Sequence, residues 1–250
     1  MKLGVQTYTI RKIFKKDLLF AFDELVKLGI HDVELARVDL NNDLIATMNK
    51  KKMSVLSIQL KLKEINKNYE KLVHFCKQVN CNIVVVSVLS LDAILFGKKA
   101  VIRFCNRLNE LSKKYEKHGI TIAFHHHNFE FKMITKKTKL DIIMAHTNEQ
   151  VKLVTDTYWT KKSGIEPHEL LLQYKERIIG IHLRDYMKNS FRFSTDCEVG
   201  YGLIDFNLVF ENIPESLRYM VIEQNSNYPI HSLTKSIKYL KEHHREKINL

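Results

Sequence analysis

Short apolar runs alternate with longer amphipathic stretches along the whole chain. Eight runs rich in aliphatic and aromatic residues predict strands at Leu3–Tyr8, Asp32–Leu35, Ser54–Gln59, Asn82–Val88, Thr121–His127, Lys152–Thr157, Ile178–Arg184 and Tyr219–Gln224. Helical spacing of apolar residues predicts helices near Asp17–Leu28, Asn41–Lys51, Lys67–Val79, Lys98–Lys117, Leu140–Ala145, Glu169–Arg177, Asp205–Glu211 and Ser232–Arg245. Gly29 and Gly119 follow helical faces as stop signals, and Pro167 precedes Glu169–Leu172 as a start. The fourth strand, NIVVVSV, is apolar on both faces, as a strand between a barrel core and outer helices must be. Eight βα units in this order point to an α/β fold, a closed (β/α)8 TIM barrel rather than an open doubly wound sheet. The length of 250 residues suits one such barrel, and the sequence contains neither a Ser/Gly-rich linker nor a repeat, so residues 1–250 are expected to form a single domain.

Composition narrows the class. Hydrophobic residues at 45% and charged residues at 27% are ordinary for a globular chain, and the apolar runs are too short to span a membrane. The opening MKLGVQTYTIRKIFKK reads as a strand and not as a secretory signal, so a cytoplasmic protein is expected. Cys76, Cys81, Cys105 and Cys197 form neither a C-x-x-C pair nor a zinc-ribbon pattern, and are expected to be buried, reduced thiols. The net charge of +12 raises the question of a polyanionic partner. The lysines, however, lie in short clusters spread over many elements without interleaved aromatics, which disfavours nucleic acid and fits a solvated surface or an acidic or phosphorylated substrate.

The chemistry gathers at the carboxyl ends of the last four strands. Asp156 ends KLVTDTYW, His182 stands in IIGIHLRD, and Glu223 follows YMVI. In a parallel barrel these ends converge on one face, and an Asp, a His and a Glu meeting there make a plausible ligand set for a divalent metal. Each residue also has a blander reading. Asp156 could be a helix cap, His182 a hydrogen-bonded core histidine, and Glu223 a carboxylate needing a buried partner. The fifth strand ends in His125-His126-His127-Asn128-Phe129-Glu130. Alternation puts His125 and His127 on one side, inward if Ala123 faces inward, and His126 on the other.

The ordered segments IAFHHHNFEF, VTDTYWTKKSGIEP, IGIHLRD, EVGYGLIDF and VIEQN, with GVQTYTIR at the first strand, resemble those of sugar phosphate isomerase/epimerase-like proteins. These belong to the xylose-isomerase-like TIM-barrel superfamily, which also holds endonuclease IV, inosose dehydratase and tagatose epimerase. The resemblance implies one divalent metal, manganese first, with cobalt, zinc or magnesium as alternatives. Its ligands would be Asp156, His182 and Glu223, with His125 standing where the epimerases carry a glutamate and His127 and Glu130 as nearby candidates to complete the shell. It implies a carbohydrate substrate, and a homodimer is compatible, since related barrels often pair. In those epimerases two metal-bound glutamates act as acid and base on opposite substrate faces. With one replaced, Glu223 working with His125, or with Glu130 nearby, suits a one-base isomerisation or a dehydration. Tyr8, Glu34, His127 and Arg184 are the candidate substrate-binding residues, and Arg11 could line the same mouth.

The leading expectation is therefore a metal-dependent isomerase or epimerase acting on a sugar, keto-sugar or inositol derivative through an enediolate-type intermediate. Two other readings are a dehydratase and a catalytically degenerate barrel that binds a sugar. An endonuclease IV-like activity is disfavoured, because Ser57-Ile58-Gln59 and Ser87-Val88 bring no further metal ligand to the third and fourth strands. Gly200-Tyr201-Gly202 lacks the context of a phosphate-binding loop. The loops after the strands are expected to be short.

Overall fold

The computed structural model describes residues 1–188 and 194–249. Eight parallel strands close into a barrel in chain order: Lys2–Gln6, Asp32–Ala36, Ser54–Leu60, Ile83–Val86, Thr121–His125, Lys152–Asp156, Ile178–Leu183 and Tyr219–Ile222, the last pairing with the first. All eight predicted strands are present. Six end one or two residues early, two of them because the chain turns directly into short helices, Thr7–Ile10 and Thr157–Lys162, and the other four by passing into loops or a hairpin.

Side chains pack in two layers. Inside the barrel, Leu56, Ile83, Val85, Ala123, Val154, Ile179, Tyr219 and Val221 form their own apolar cluster. A larger cluster fills the space between the strands and the outer helices, among them Leu18–Lys27, Asn42–Lys51, Tyr69–Gln78, Lys98–Glu116 and Pro229–His243. The inner cluster is the floor on which the site rests. Ala123, Val154 and Val221 each stand two residues before a polar group, His125, Asp156 and Glu223, so period-two alternation lifts those groups to the mouth. Gly180 is required by close approach: a Cβ there would lie 2.5 Å from the Tyr219 ring, which crosses the barrel interior.

Local structure departs from expectation in three places. The predicted helix Lys67–Val79 is present as Tyr69–Gln78, and an unpredicted one, Leu62–Lys67, precedes it. Short helices also form at Arg11–Lys16, Leu91–Leu95 and Thr157–Lys162, each too brief to show a hydrophobic period. The loops after the fifth and seventh strands are not short: they carry antiparallel hairpins at Met133–Ile134 with Lys137–Thr138, and at Asp185–Lys188 with Ser194–Cys197. All four cysteines are free and buried. Among the described residues, no helix is long and apolar enough to cross a membrane.

Candidate metal centre

Strand register brings the polar ends together. Asp156 pairs across to His182, and His182 to Val221, with Glu223 two residues further on. His125, Asp156, His182 and Glu223 are all buried and each offers one ligand atom, all within 4.8 Å of one another. His182 Nδ1 lies 2.8 Å from Glu223 Oε2 and 4.0 Å from Asp156 Oδ2, and His125 Nε2 lies 3.6 Å from Asp156 Oδ2. The cluster forms the base of a cavity of about 1100 Å³ at the barrel mouth, onto which His125, His127, Tyr158, Trp159, Arg184 and Glu223 open.

Asp156 does both things its sequence position allows. One oxygen, Oδ1, accepts the Trp159 amide at 2.8 Å and caps the helix Thr157–Lys162, while Oδ2 faces the cluster. Burial disfavours its charge, but the Arg184 guanidinium, with His125 and His182, holds the carboxyl well below the usual range. Glu223 has the partners its burial requires: His182 on one oxygen and Arg184 Nη1, at 3.2 Å, on the other. These outweigh desolvation and lower its pKa also.

Arg184 is the cluster's internal cation. Its Nη1 approaches Asp156 Oδ2 at 3.4 Å as well as Glu223, and its Nη2 makes 2.9 Å bonds to both oxygens of Asp196 on the second hairpin. Asp196 is caught between burial, which raises its pKa to about 6, and Arg184, which works against that rise. Arg184 therefore lines the cavity as predicted, but its charge is already met by three carboxylates.

Glu34 is placed differently from expectation. It is fully buried beneath His182, outside the cavity lining, where a substrate group does not reach it. Gln6 Nε2 donates to one oxygen at 2.7 Å, and Ser57 Oγ and Tyr219 OH donate to the other at 2.5 and 3.0 Å. Its Oε1 also lies 2.8 Å from His182 Nε2, an ion pair by distance that is out of line for a hydrogen bond. Burial would raise the Glu34 carboxyl; the His182 charge, Gln6 and Ser57 prevail and hold it at about 2. Burial likewise opposes a charge on His182, and Glu34 and Glu223 overcome it, raising that imidazole to about 10. Glu34 thus stands behind His182, outside the lining of the cavity.

The three histidines of the fifth strand divide as alternation predicts. His125 and His127 line the cavity, whereas His126 points away, its Nε2 accepting the Asp156 amide at 3.1 Å. Burial and the neighbouring His125 lower both His126 and His127 to about 3, so they are neutral at pH 7. Glu130 also corrects an expectation. It is fully buried, outside the cavity lining, and its Oε2 accepts the His127 amide at 2.8 Å. Burial lifts its pKa to about 7 against that hydrogen bond. Its carboxylate braces the His127 turn from outside the cavity lining. Tyr8 lines the mouth as expected, stacked by Arg11 at 3.9 Å from its ring centroid.

The donor set fits a metal. Both ring nitrogens of His125 are buried with no hydrogen-bond partner, which in a native interior calls for a missing ligand. Two imidazoles and two carboxylates on a common point suit manganese, cobalt or zinc better than calcium. Glu34 behind His182 supplies the outer carboxylate that orients a metal-bound histidine. Sequence reasoning missed Asp196, whose hairpin has no periodic signal, and Gln6 and Gln59, polar strand residues with nothing local to mark them.

The family model described as Xylose isomerase-like TIM barrel matches residues 57–243. Inosose dehydratase of Clostridium botulinum is 32% identical over 158 residues, covering 55% of this chain and 52% of that protein, so the chain spans about half the length of that relative. Among solved structures, a sugar phosphate isomerase/epimerase from Parabacteroides distasonis superposes with a TM-score of 0.79 at 16% identity, covering 96% of this chain and 97% of that one. A structure described as IOLI protein with a binding zinc atom gives 0.72 at 17% identity, covering 99% and 98%. Closed barrel, ordered polar strand ends and family match agree: the chain belongs to the xylose isomerase-like TIM-barrel family.

Proposed function

We propose that this chain is a divalent-metal-dependent enzyme that moves a proton next to the carbonyl of a sugar, keto-sugar or inositol derivative, isomerising or epimerising it through an enediolate-type intermediate. The observation that carries the reading is the buried quartet His125, Asp156, His182 and Glu223 at the base of a large cavity, with an unpartnered imidazole among them. A bound metal ion supplies polarisation of the substrate carbonyl and stabilises negative charge on oxygen.

The protein's own groups do the rest. Glu223 is the one carboxylate of the quartet that lines the cavity, which suits it to take the proton. His127, neutral and opening on the same space with a buried unpartnered Nδ1, can hold a hydroxyl or pass a proton. Tyr8, Tyr158 and Trp159 offer aromatic faces to the C–H face of a ring. Glu34 and Glu130 act from behind, fixing His182 and the His127 turn.

A second reading, dehydration, is favoured by one observation. With His125 in place of a second glutamate, one carboxylate of the quartet lines the cavity, and the 32% identical relative is an inosose dehydratase. The test is turnover of keto-sugars and keto-inositols by manganese-loaded protein, followed by mass and by solvent deuterium uptake. Activity lost to chelator, restored by manganese and lowered about 100-fold or more in Glu223→Gln supports the proposal. Turnover unaffected by chelation contradicts it. Loss of water in the product decides for dehydration.

A further inference from the structure

The wall of the cavity opposite the metal cluster is built of donors. Arg37 follows the second strand, Gln59 is the penultimate residue of the third, and Lys61 and Lys71 belong to the helical segment after it; all four line the cavity. Gln59 Oε1 accepts from Gln6 at 3.3 Å, leaving its Nε2 buried with no partner. Among the described residues, none of Arg37, Lys61 and Lys71 has a carboxylate within ion-pair distance. Asp39 and Glu64 also line this wall, Glu64 Oε2 accepting the Lys61 amide at 3.0 Å, so two exposed carboxylates stand against three cations and the wall keeps an excess of positive charge.

Arg37 stands out by its backbone. Among the described residues, four non-glycine residues have positive φ, and three sit where turns ordinarily require it: Lys52 and Asn80 just beyond helices, Thr135 at a hairpin turn. Arg37, at φ 54, is the fourth, in a bend on the cavity rim. Strain of this kind persists where the surroundings hold it, and it collects at ligand-binding positions. The guanidinium lies 4.7 Å from the Tyr8 ring centroid, and that ring is fixed by Arg11, which bonds Tyr8 O at 2.9 Å and Asn225 Oδ1 at 2.8 Å. Two guanidiniums thus meet at one phenol, a concentration of positive charge that an anion beside them would offset. Arg184, the cation at the other end of the cavity, is not free to bind a ligand anion, being neutralised already by Asp156, Asp196 and Glu223.

We infer that the substrate carries an anionic, acceptor-only group, a phosphate or a carboxylate, which binds at Arg37 with Lys61, Lys71 and the Gln59 amide while the reacting end lies at the metal cluster. The inference rests on the substrate-site reading above. The cavity, about 1100 Å³, has room for a molecule longer than one sugar ring. The net charge of +12 draws such a ligand toward the mouth.

Calorimetric titration with two matched pairs tests this: D-fructose against D-fructose 6-phosphate, and D-glucose against D-glucuronate, each on manganese-loaded and on metal-free chain. In at least one pair the charged member should bind about tenfold more tightly or better, the effect of one charge-assisted contact. The pair that shows it identifies phosphate or carboxylate. Arg37→Gln should reduce the preference to a few-fold at most without altering manganese affinity, and the double variant Lys61→Gln/Lys71→Gln should reduce it in part. Equal binding within both pairs, absence of binding by either charged ligand, or an unchanged preference in folded Arg37→Gln overturns the inference. Failure of wild-type protein to bind manganese instead counts against the metal reading and leaves the metal-free titration as the test of this one.

Discussion

At the scale of single residues, the centre is a set of charges that hold one another in place. With no metal bound, His182 titrates near 10 because Glu34 and Glu223 flank it, so at pH 7 it carries a proton that an incoming metal must displace. Metal affinity should therefore rise with pH through the neutral range, and calorimetry in buffers of different ionisation heat should report close to one proton released per ion. A pH-independent affinity contradicts this. Stability of the metal-free chain follows the same groups. The raised His182 contributes stability in full below its ordinary value of 6.5, and this is lost as pH rises toward 10. Glu34, held at about 2, contributes above its ordinary value of 4.5, and this is lost as pH falls toward 2. His126 and His127, held at about 3, resist protonation that the unfolded chain accepts, and so cost stability as pH falls below 6.5. Urea midpoints should fall on both sides of about pH 6.5, and manganese should flatten the alkaline side. Glu34→Gln keeps the shape but weakens the hold on His182, and metal affinity should drop about 10- to 100-fold in competition with a chromogenic chelator. Unchanged affinity removes the positioning role.

At the scale of elements, the second hairpin is held at its base by Asp185 as well as through Asp196 by Arg184. Asp185 accepts four backbone N–H groups, from Tyr186, Gly200, Gly202 and Ile204, and so fixes the return of the hairpin that carries Asp196. Gly202 packs against that carboxylate with no space for a Cβ. Asp185→Ala leaves these donors without their acceptor and should cost roughly 3 kcal/mol in urea unfolding, from about 1–3 kcal/mol for each buried group left unpaired. A loss below about 1 kcal/mol would mean water replaces the carboxylate. None of this hairpin was legible in the sequence, since its strands are too short for alternation to register and Asp185 is held by backbone far along the chain. The barrel strands were legible, because burial on both faces writes itself as continuous apolar runs. Their ends were not, because pairing stops where Asp156 caps a helix and Gln6 turns into Thr7–Ile10, and the same residue types suit strand and cap alike.

At the scale of the molecule, the reasoning that placed Asp156, His182 and Glu223 together depended on closure of the barrel, which makes strands remote in sequence into neighbours. Period two then sorted His125 and His127 from His126. It could not sort Glu34, whose inward direction is right but whose depth is set by the Tyr219 ring and Gly180 across the barrel, nor Glu130, which folds back on its own turn. Because the quartet joins four strands on one side of the barrel, an ion held there should stabilise the whole. Saturation at about 100 times the dissociation constant adds about 2.7 kcal/mol. For a chain of this size that raises Tm by roughly 5–10 °C, reversed by chelator. A Tm indifferent to manganese and to chelator contradicts a site built into the barrel.

The most direct measurement is anomalous diffraction from crystals grown with manganese. The account predicts one strong peak per chain, within bonding distance of His125, Asp156, His182 and Glu223, with Arg184 drawn away from Asp156 and Glu223 and still bound to Asp196. A map with no peak among those four side chains, or a peak held elsewhere, contradicts it.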